Sequence, residues 1–238
     1  MKHTLVVASS NRGKLDELRV LLAELPLEVY ALDEMTKVPV IIVEDGATFT
    51  DNAIKKARAA AEVTMALSLG DDSGLEVDAL EGRPGVLSAR FAHERATDAE
   101  NNAALHRALD ALGDPDGSPS TLRGRDETYE APPKSAADPV TYAARFHCVL
   151  ALVDPYAEDD APIVAHGTCE GRVTRTARGS GGFGYDPMFV VDGTNKTMAE
   201  LTAEEKNAIS HRACAFRALV PRLKEIIAAR EALIAKLA

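Results

Sequence analysis

The sequence predicts an α/β fold, a mixed β-sheet flanked by helices. Three observations carry that reading. The chain opens on a short β-branched apolar run, a polar Gly-containing turn and a helical stripe. Apolar alternation with hairpin-like spacing recurs in the middle and late chain, which a purely parallel sheet does not require. Helix-period stripes sit among these strands without strict one-to-one alternation.

The elements follow in order. Thr4–Ala8 (TLVVA) is a buried strand, SSNRGK a turn, and Leu15, Leu18, Leu22 and Leu25 one helical face closed by Pro26. Val38–Val43 reads as a second strand ending in Glu44–Asp45. Thr48 and Thr50 are candidate caps for an Ala-rich helix through Asn52, Ile54, Lys56, Ala57 and Ala61. Met65–Leu69 reads as a strand running into Asp71–Asp72–Ser73–Gly74, with Leu75–Val77 as a hairpin arm. Thr97-x-x-Glu100 is a capping box for a helix with Leu105, Leu109 and Leu112 on one face. Gly113–Thr141 holds five of the twelve prolines and no apolar periodicity, which predicts a flexible insertion. Tyr142–Val153 alternates, with Phe146, Cys148, Leu150 and Leu152 on one face. Pro162–Thr168 and Glu170–Ala177 read as two strands joined by a tight turn. A Gly-rich loop, Arg178–Asp186, precedes a short strand at Met188–Val191. Thr202-x-x-Glu205 is a second capping box. The stripe Ile209, Ala213, Phe216, Val220, Leu223, Ile227 follows it, and Pro221 within that stripe predicts a kink or a restart.

Composition bounds the function. At 238 residues, 46% hydrophobic and 27% charged, the chain is an ordinary folded protein, read as one domain over 1–238. Aromatics make up only 5% and Trp is absent, so the core falls to Ala, Val, Leu and Ile. The net charge of −10 disfavours a nucleic-acid polymer or an anionic membrane as partner. No charged-then-apolar leader is present, and no apolar run approaches the ~18 residues of a membrane span. Cys148, Cys169 and Cys214 form no CxxC pair and read as reduced thiols, which points to the cytoplasm.

Four constellations can carry chemistry. Ser9-Ser10-Asn11-Arg12-Gly13-Lys14 lies between strand and helix, where free N–H groups and the helix dipole suit a phosphate; the plainer reading is a capped turn with a surface lysine. Glu44, Asp71 and Asp72 stand near candidate strand ends. They suit a Mg²⁺ site completed by phosphate oxygens, or a base with a raised pKa, or they are solvated turn acids. Gly179–Asp186 sets Phe183 among glycines, as a shelf for a planar base or as the core residue of a glycine hairpin. Lys206 and Ser210-His211-Arg212 fall in the first turns of the last helix, where cations oppose the dipole and a bound polyanion would compensate, unless the turn is simply solvated. The set describes a nucleoside triphosphate site with hydrolytic potential.

On these residues the sequence resembles the Ham1/RdgB-type inosine/xanthosine triphosphate pyrophosphatases. The matching stretches are ASSNRGKLDELRVLL, EDGATFTDNAIKKARAA, GDDSGLEVDALEGRPGVLSARF, ARFHCVL, GGFGYDP and ELTAEEKNAISHRACA, in family order. They cover nearly everything except about Gly113–Thr141. The resemblance implies an elongated α/β fold of two lobes around a central nucleotide-binding cleft, usually a homodimer. It implies hydrolysis of ITP, dITP and XTP to the monophosphate and pyrophosphate. It carries Asp72 over as proton acceptor, and Glu44 with Asp72 as Mg²⁺ ligands. Ser9, Ser10, Asn11, Arg12, Gly13, Lys14, Lys56, Ser73, Phe183, Gly184, Tyr185, Asp186, Lys206, His211 and Arg212 become substrate contacts. In this reading Lys14, Lys56 and Lys206 stabilise the leaving pyrophosphate, Phe183 stacks the purine, and His211 and Arg212 donate to its 6-oxo group. Two features depart from the family pattern. SSN stands where many members have TGN, so Ser10 replaces a glycine, and the insertion is longer than expected. A Maf-like pyrophosphatase would open on Ser-Pro-Arg-Arg, which is missing here, and a nucleotide sensor would bind without turnover.

Overall fold

The computed structural model describes residues 2–112, 141–157, 159 and 161–237. The expected insertion at Gly113–Thr141 therefore lies outside the described residues, Thr141 excepted. Six strands form one mixed sheet in the order β2-β1-β3-β4-β5-β6. They are β1 (His3–Ala8), β2 (Leu27–Ala31), β3 (Leu67–Val77), β4 (Thr141–Val153), β5 (Ile163–Thr174) and β6 (Phe189–Val191). The helices are α1 (Arg12–Leu22), α2 (Leu32–Met35), α3 (Phe49–Thr64), α4 (Asp98–Ala111), α5 (Ala203–Ile209) and α6 (His211–Leu237). Among the described residues no helix is long and apolar enough to cross a membrane.

The chain divides into two compact units. The first comprises Met1–Ser73, Phe146–Cys169 and Glu204–Ala238. Here β1 pairs in parallel with β2 (Leu5 opposite Val29) and with β3 (Leu5 opposite Leu67, Ala8 opposite Gly70). One sheet face buries Leu5 and Val7 against the α1 stripe Leu15, Leu18 and Leu22, and against Phe216, Leu219 and Leu223 of α6. The other face buries Val6 and Ala8 against Leu32 and Ala60. This is the period-2 strand meeting period-3.6 helices that the sequence implies. Cys148 and Cys169 are buried, Cys214 is half-buried, and none of the three is in a disulfide.

The second unit comprises Gly74–Arg145 and Glu170–Ala203. There β6 runs antiparallel to β5, with Arg172 opposite Val190. Thr97 caps α4: its hydroxyl accepts from Glu100 N–H while the Glu100 carboxylate accepts from Thr97 N–H at 2.7 Å. Leu105 and Leu109 are buried, but Leu112 ends the helix and is exposed.

Several elements differ from the sequence reading, each for a physical reason. Residues Leu27–Ala31 form a strand the stripe analysis passed over, because five residues after a proline carry little periodic signal. Val38–Val43 keeps the alternation of a strand yet joins no ladder among the described residues. Val40 and Ile42 pack inward, whereas Ile41 is 88% exposed. No hairpin breaks β3, which runs straight through Gly74. β5 is likewise one strand, and its in/out burial alternates without interruption across Thr168–Glu170. The helix break falls at Ser210, not at Pro221, which lies inside α6. Pro221 is exposed, so solvent can take the carbonyl it frees.

Gly70 shows how tightly α3 seats on the sheet. A Cβ there would collide with the Ala53 carbonyl and the Ala57 amide of α3. Backbone cannot move aside as a flexible side chain can. Gly70→Ala is therefore expected to lower unfolding stability by about 1–3 kcal/mol, the usual cost of overpacking, read as a lower urea midpoint at unchanged m.

Candidate active site

The first unit gathers most of the candidate residues around the middle of β3. Consecutive strand residues point to opposite faces, so Asp71 and Asp72 part company. Neither lies at a strand end, and neither is solvated: Asp71 is 0% and Asp72 5% exposed.

Asp71 joins three elements. Arg212, in the first turn of α6, donates from Nε to Asp71 Oδ2 at 2.6 Å and from Nη2 to Oδ1 at 3.3 Å. Lys14 of α1 places Nζ 2.9 Å from Oδ1. Burial alone would raise the Asp71 pKa, but Arg212 and then Lys14 outweigh it and hold the carboxyl well below the usual carboxylate range. The Cys148 thiol lies 3.8 Å away, and burial followed by the charge of Asp71 pushes its pKa well up.

Arg212 is wholly buried and carries further partners. Its Nη1 donates to Glu17 Oε2, and its Nη2 to Ser73 Oγ at 3.0 Å. Glu17 also receives Lys206, Nζ to Oε1 at 2.8 Å. Lys206 lies in the last turn of α5, where the helix dipole favours a cation, and not in the first turns of the last helix. Ser210 caps α6 through a hydrogen bond from Ala213 N–H to its Oγ, 3.2 Å. His211 follows, buried and stacked on Phe146 with ring centroids 4.8 Å apart. Burial first, then the neighbouring Arg212, depress its pKa well below 6.5, so it is neutral. Its Nδ1 is buried with no hydrogen-bond partner among the described residues.

Asp72 faces α3. Lys56 Nζ stands 2.7 Å from Asp72 Oδ1 and 2.6 Å from Glu44 Oε2, and it donates to the Asp71 carbonyl at 3.1 Å. Asn52 donates from Nδ2 to Asp72 Oδ2 at 3.3 Å, while its Oδ1 accepts from Gly46 N–H at 2.8 Å. Burial raises the Asp72 pKa, Glu44 adds to it, and the opposing pull of Lys56 and Lys14 does not cancel the rise. Lys56 shifts upward: burial would lower its pKa, but Asp72 and Glu44 hold the proton on.

The turn after β1 is built for its place. Asn11 caps α1, its Oδ1 accepting from Lys14 N–H at 3.1 Å, and its own N–H donates to Ser9 Oγ at 3.2 Å. One buried ammonium holds both Glu44 and Asp72, so two hard carboxylates already converge on a cation. That donor set suits Mg²⁺, which takes one or two carboxylates and completes its shell with water and phosphate oxygens. Among the described residues no group of three or more His, Cys, Asp or Glu is arranged to hold a metal without such help.

The Ham1 family model matches residues 5–120 and 129–222. The chain belongs to the Ham1 family. It is 45% identical over 220 residues to a protein of Salmonella typhi named dITP/XTP pyrophosphatase, covering 92% of this chain and 97% of that one. A protein of the same name from Desulforamulus reducens is also 45% identical, over 90% of this chain and 92% of the other. A solved Ham1 structure from Coxiella burnetii superposes with a TM-score of 0.73 at 41% identity, covering 94% of this chain and all of that one.

Within this Ham1 fold the expected site residues take different places. Lys14, Lys56, Ser73, Asp72 and Glu44 meet around β3 together with Lys206 and Arg212, as just described. Arg12 does not join them: it is exposed and pairs with Asp33 at 2.6 Å. Arg212 holds Asp71, Glu17 and Ser73 instead of presenting a free guanidinium to a base, because burial leaves it no other way to keep its charge. Phe183, Gly184, Tyr185 and Asp186 belong to the second unit. There Tyr185 is a core residue whose hydroxyl donates to the Ser88 carbonyl at 2.9 Å. Asp186 is buried and its carboxylate accepts from Phe183 N–H at 2.9 Å. Sequence reasoning passed over Glu17 and Asn52. Glu17 lies one turn after Lys14 on the same helix, a spacing that signals it as a neighbour of the site. Asn52 reads in the sequence as a helix residue alone.

Asp71→Asn leaves Arg212 and Lys14 short of a counter-charge. The expected loss in the metal-free protein is about 3–5 kcal/mol, the cost of breaking a buried pair. The sign with pH follows from the depressed pKa of Asp71. Its contribution is complete above the unfolded aspartate pKa of about 4 and fades as pH falls below that. Denaturation at pH 7 and in acid should therefore show the variant's deficit shrinking toward low pH.

Proposed function

We propose that this chain hydrolyses non-canonical purine nucleoside triphosphates, dITP, XTP and ITP, between the α- and β-phosphates, releasing the monophosphate and pyrophosphate. The match to relatives named dITP/XTP pyrophosphatase, nearly end to end on both sides, supports the reaction class. The observation that carries the chemistry is Asp72. It is a buried carboxylate of raised pKa, oriented by Asn52 and flanked by cations.

In this reading Asp72 is the general base. Water attacks the α-phosphorus in line, its proton passes to an Asp72 oxygen, and the α–β bridging oxygen leaves with pyrophosphate. Asn52 fixes the carboxylate plane. Lys14 and Lys56 supply fixed positive charge to the phosphate oxygens, at little reorganisation cost because their own carboxylates already orient them. Among the described residues Lys14, Lys56, Lys206 and Arg212 each pair with carboxylates among Glu17, Glu44, Asp71 and Asp72, so a polyanionic substrate calls for further positive charge. Mg²⁺ held by Glu44 and Asp72 would supply that charge when bound. Thiols outside any disulfide and a removal task directed at the nucleotide pool support a cytoplasmic enzyme.

Incubation with Mg²⁺ and dITP, XTP, ITP, ATP or GTP, with products resolved by anion exchange, tests the reaction. Monophosphate plus pyrophosphate from the first three is the expected result. Diphosphate plus orthophosphate would place attack at the γ-phosphorus and overturn the mechanism. Asp72→Asn, shown folded by circular dichroism, should lose at least ~10²-fold in kcat. Near-normal turnover would remove Asp72 from the role of base.

A further inference from the structure

The Gly-rich loop of the second unit is gripped by α4 in a way the sequence does not announce. Gly184, at φ +60°, directly follows Phe183. Its N–H donates to Asp98 Oδ2 at 2.7 Å, and its carbonyl accepts from Asn102 Nδ2 at 2.8 Å. Both backbone groups of one glycine are thus held by side chains four residues apart on the same helix face. The partners lie more than eighty residues away in sequence, so this is a tertiary clamp and not a local turn.

Two more bonds complete the fixation. Asp186 Oδ2 accepts from Phe183 N–H at 2.9 Å, and Tyr185 Oη donates to the Ser88 carbonyl at 2.9 Å. The bond to Gly184 O also fixes the Asn102 amide, since flipping it would set two oxygens against each other. Asn102 Oδ1 is then left buried with no hydrogen-bond partner among the described residues. An unmade bond costs free energy, so a purely structural amide would be a poor choice at this position. The backbone on both sides of Phe183 is therefore pinned, and the residue as a whole is half-buried.

We infer that Asp98 and Asn102 are positioning residues for Phe183, holding its ring in the orientation that receives the base of the nucleotide. The inference rests on the family-derived reading of Phe183 as the base-stacking residue. A ring held in advance loses less freedom on binding, so the clamp acts on affinity and not on the chemical step. Because it acts through Phe183, its effect vanishes when the ring is gone.

The test is steady-state kinetics with dITP on Asp98→Ala, Asn102→Ala, Phe183→Ala and the double variant Asn102→Ala/Phe183→Ala. Each clamp variant is expected to raise KM about tenfold with kcat within about twofold, the signature of lost uniform binding. Asn102→Ala should add nothing further in the Phe183→Ala background. Asp98→Asn, which still offers an acceptor to Gly184 N–H, should restore most of the affinity. Thr97→Ala serves as the structural control, since it weakens the α4 cap without touching Gly184. The protein has no Trp, so Phe183→Trp gives a single tryptophan, excited selectively over the five tyrosines, whose anisotropy should fall when Asn102→Ala is added. If Phe183→Ala leaves KM unchanged, the base-stacking reading itself fails. If Phe183→Ala raises KM but the clamp variants do not, or if Thr97→Ala matches them, the positioning role is overturned while the stacking reading stands.

Discussion

The buried pairing of Asp71 with Arg212 is the constraint on which the first unit depends. A charge at zero exposure must be matched or neutralised, because its desolvation costs several kcal/mol. Asp71 sits on β3, Arg212 on α6 and Lys14 on α1, so satisfying one carboxylate fixes three elements in register. Glu17 then closes the chain of charges by taking both Arg212 and Lys206. A well-packed apolar replacement holds such elements about as firmly, since buried ion pairs are weak sources of net stability. What such a replacement lacks is direction: a bidentate guanidinium accepts a carboxylate in one plane only.

That fixed plane gives β3 its division of labour. Strand alternation sends Asp71 to the charge-balanced side and Asp72 to the side of α3. The first is held ionised by two cations, and the second is pushed toward the protonated form by burial. Burial leads the shift, and repulsion between the adjacent acids does not explain it. Their opposite environments do, and the pleat of a strand is the cheapest way to give neighbours opposite environments.

The sequence made much of this legible. β1, α1, α3, α4, β4 and the Thr97–Glu100 capping box follow from periodicity and polar caps, because local chemistry decides them. The turn after β1, the acid pair of β3 and the start of α6 stand out in the sequence by residue type and spacing. What stayed hidden is tertiary. Nothing local shows that Val38–Val43 finds no partner strand among the described residues, since alternation describes a strand's faces and not its neighbours. Gly70 and Gly74 look like strand breakers until α3 is seen packed against the one and β3 running through the other. Arg212 reads as a free substrate contact because the carboxylates that claim it lie 141 and 195 residues away. Tyr185 reads as part of a binding loop because its core position depends on Ser88.

The unpaired segment leading to Glu44 shows why such tertiary detail matters for chemistry. Without a ladder, its placement depends on side chains. Two adjacent acids, Glu44 and Asp45, meet two adjacent lysines of α3, Lys56 and Lys55. The pairs are unequal. Lys55 and Asp45 are both solvent-exposed, where an ion pair contributes little and salt weakens it. Lys56 is buried and also grips Asp72, so the Glu44 pair is screened less and is tied to the proposed base. Asn52 adds the other anchor through Gly46 N–H while orienting Asp72 with its amide nitrogen. One face of α3 thus sets both carboxylates by the same two side chains, and a displacement of α3 would move Glu44 and Asp72 together. The close seating of that helix on Gly70 is what holds the pair in place.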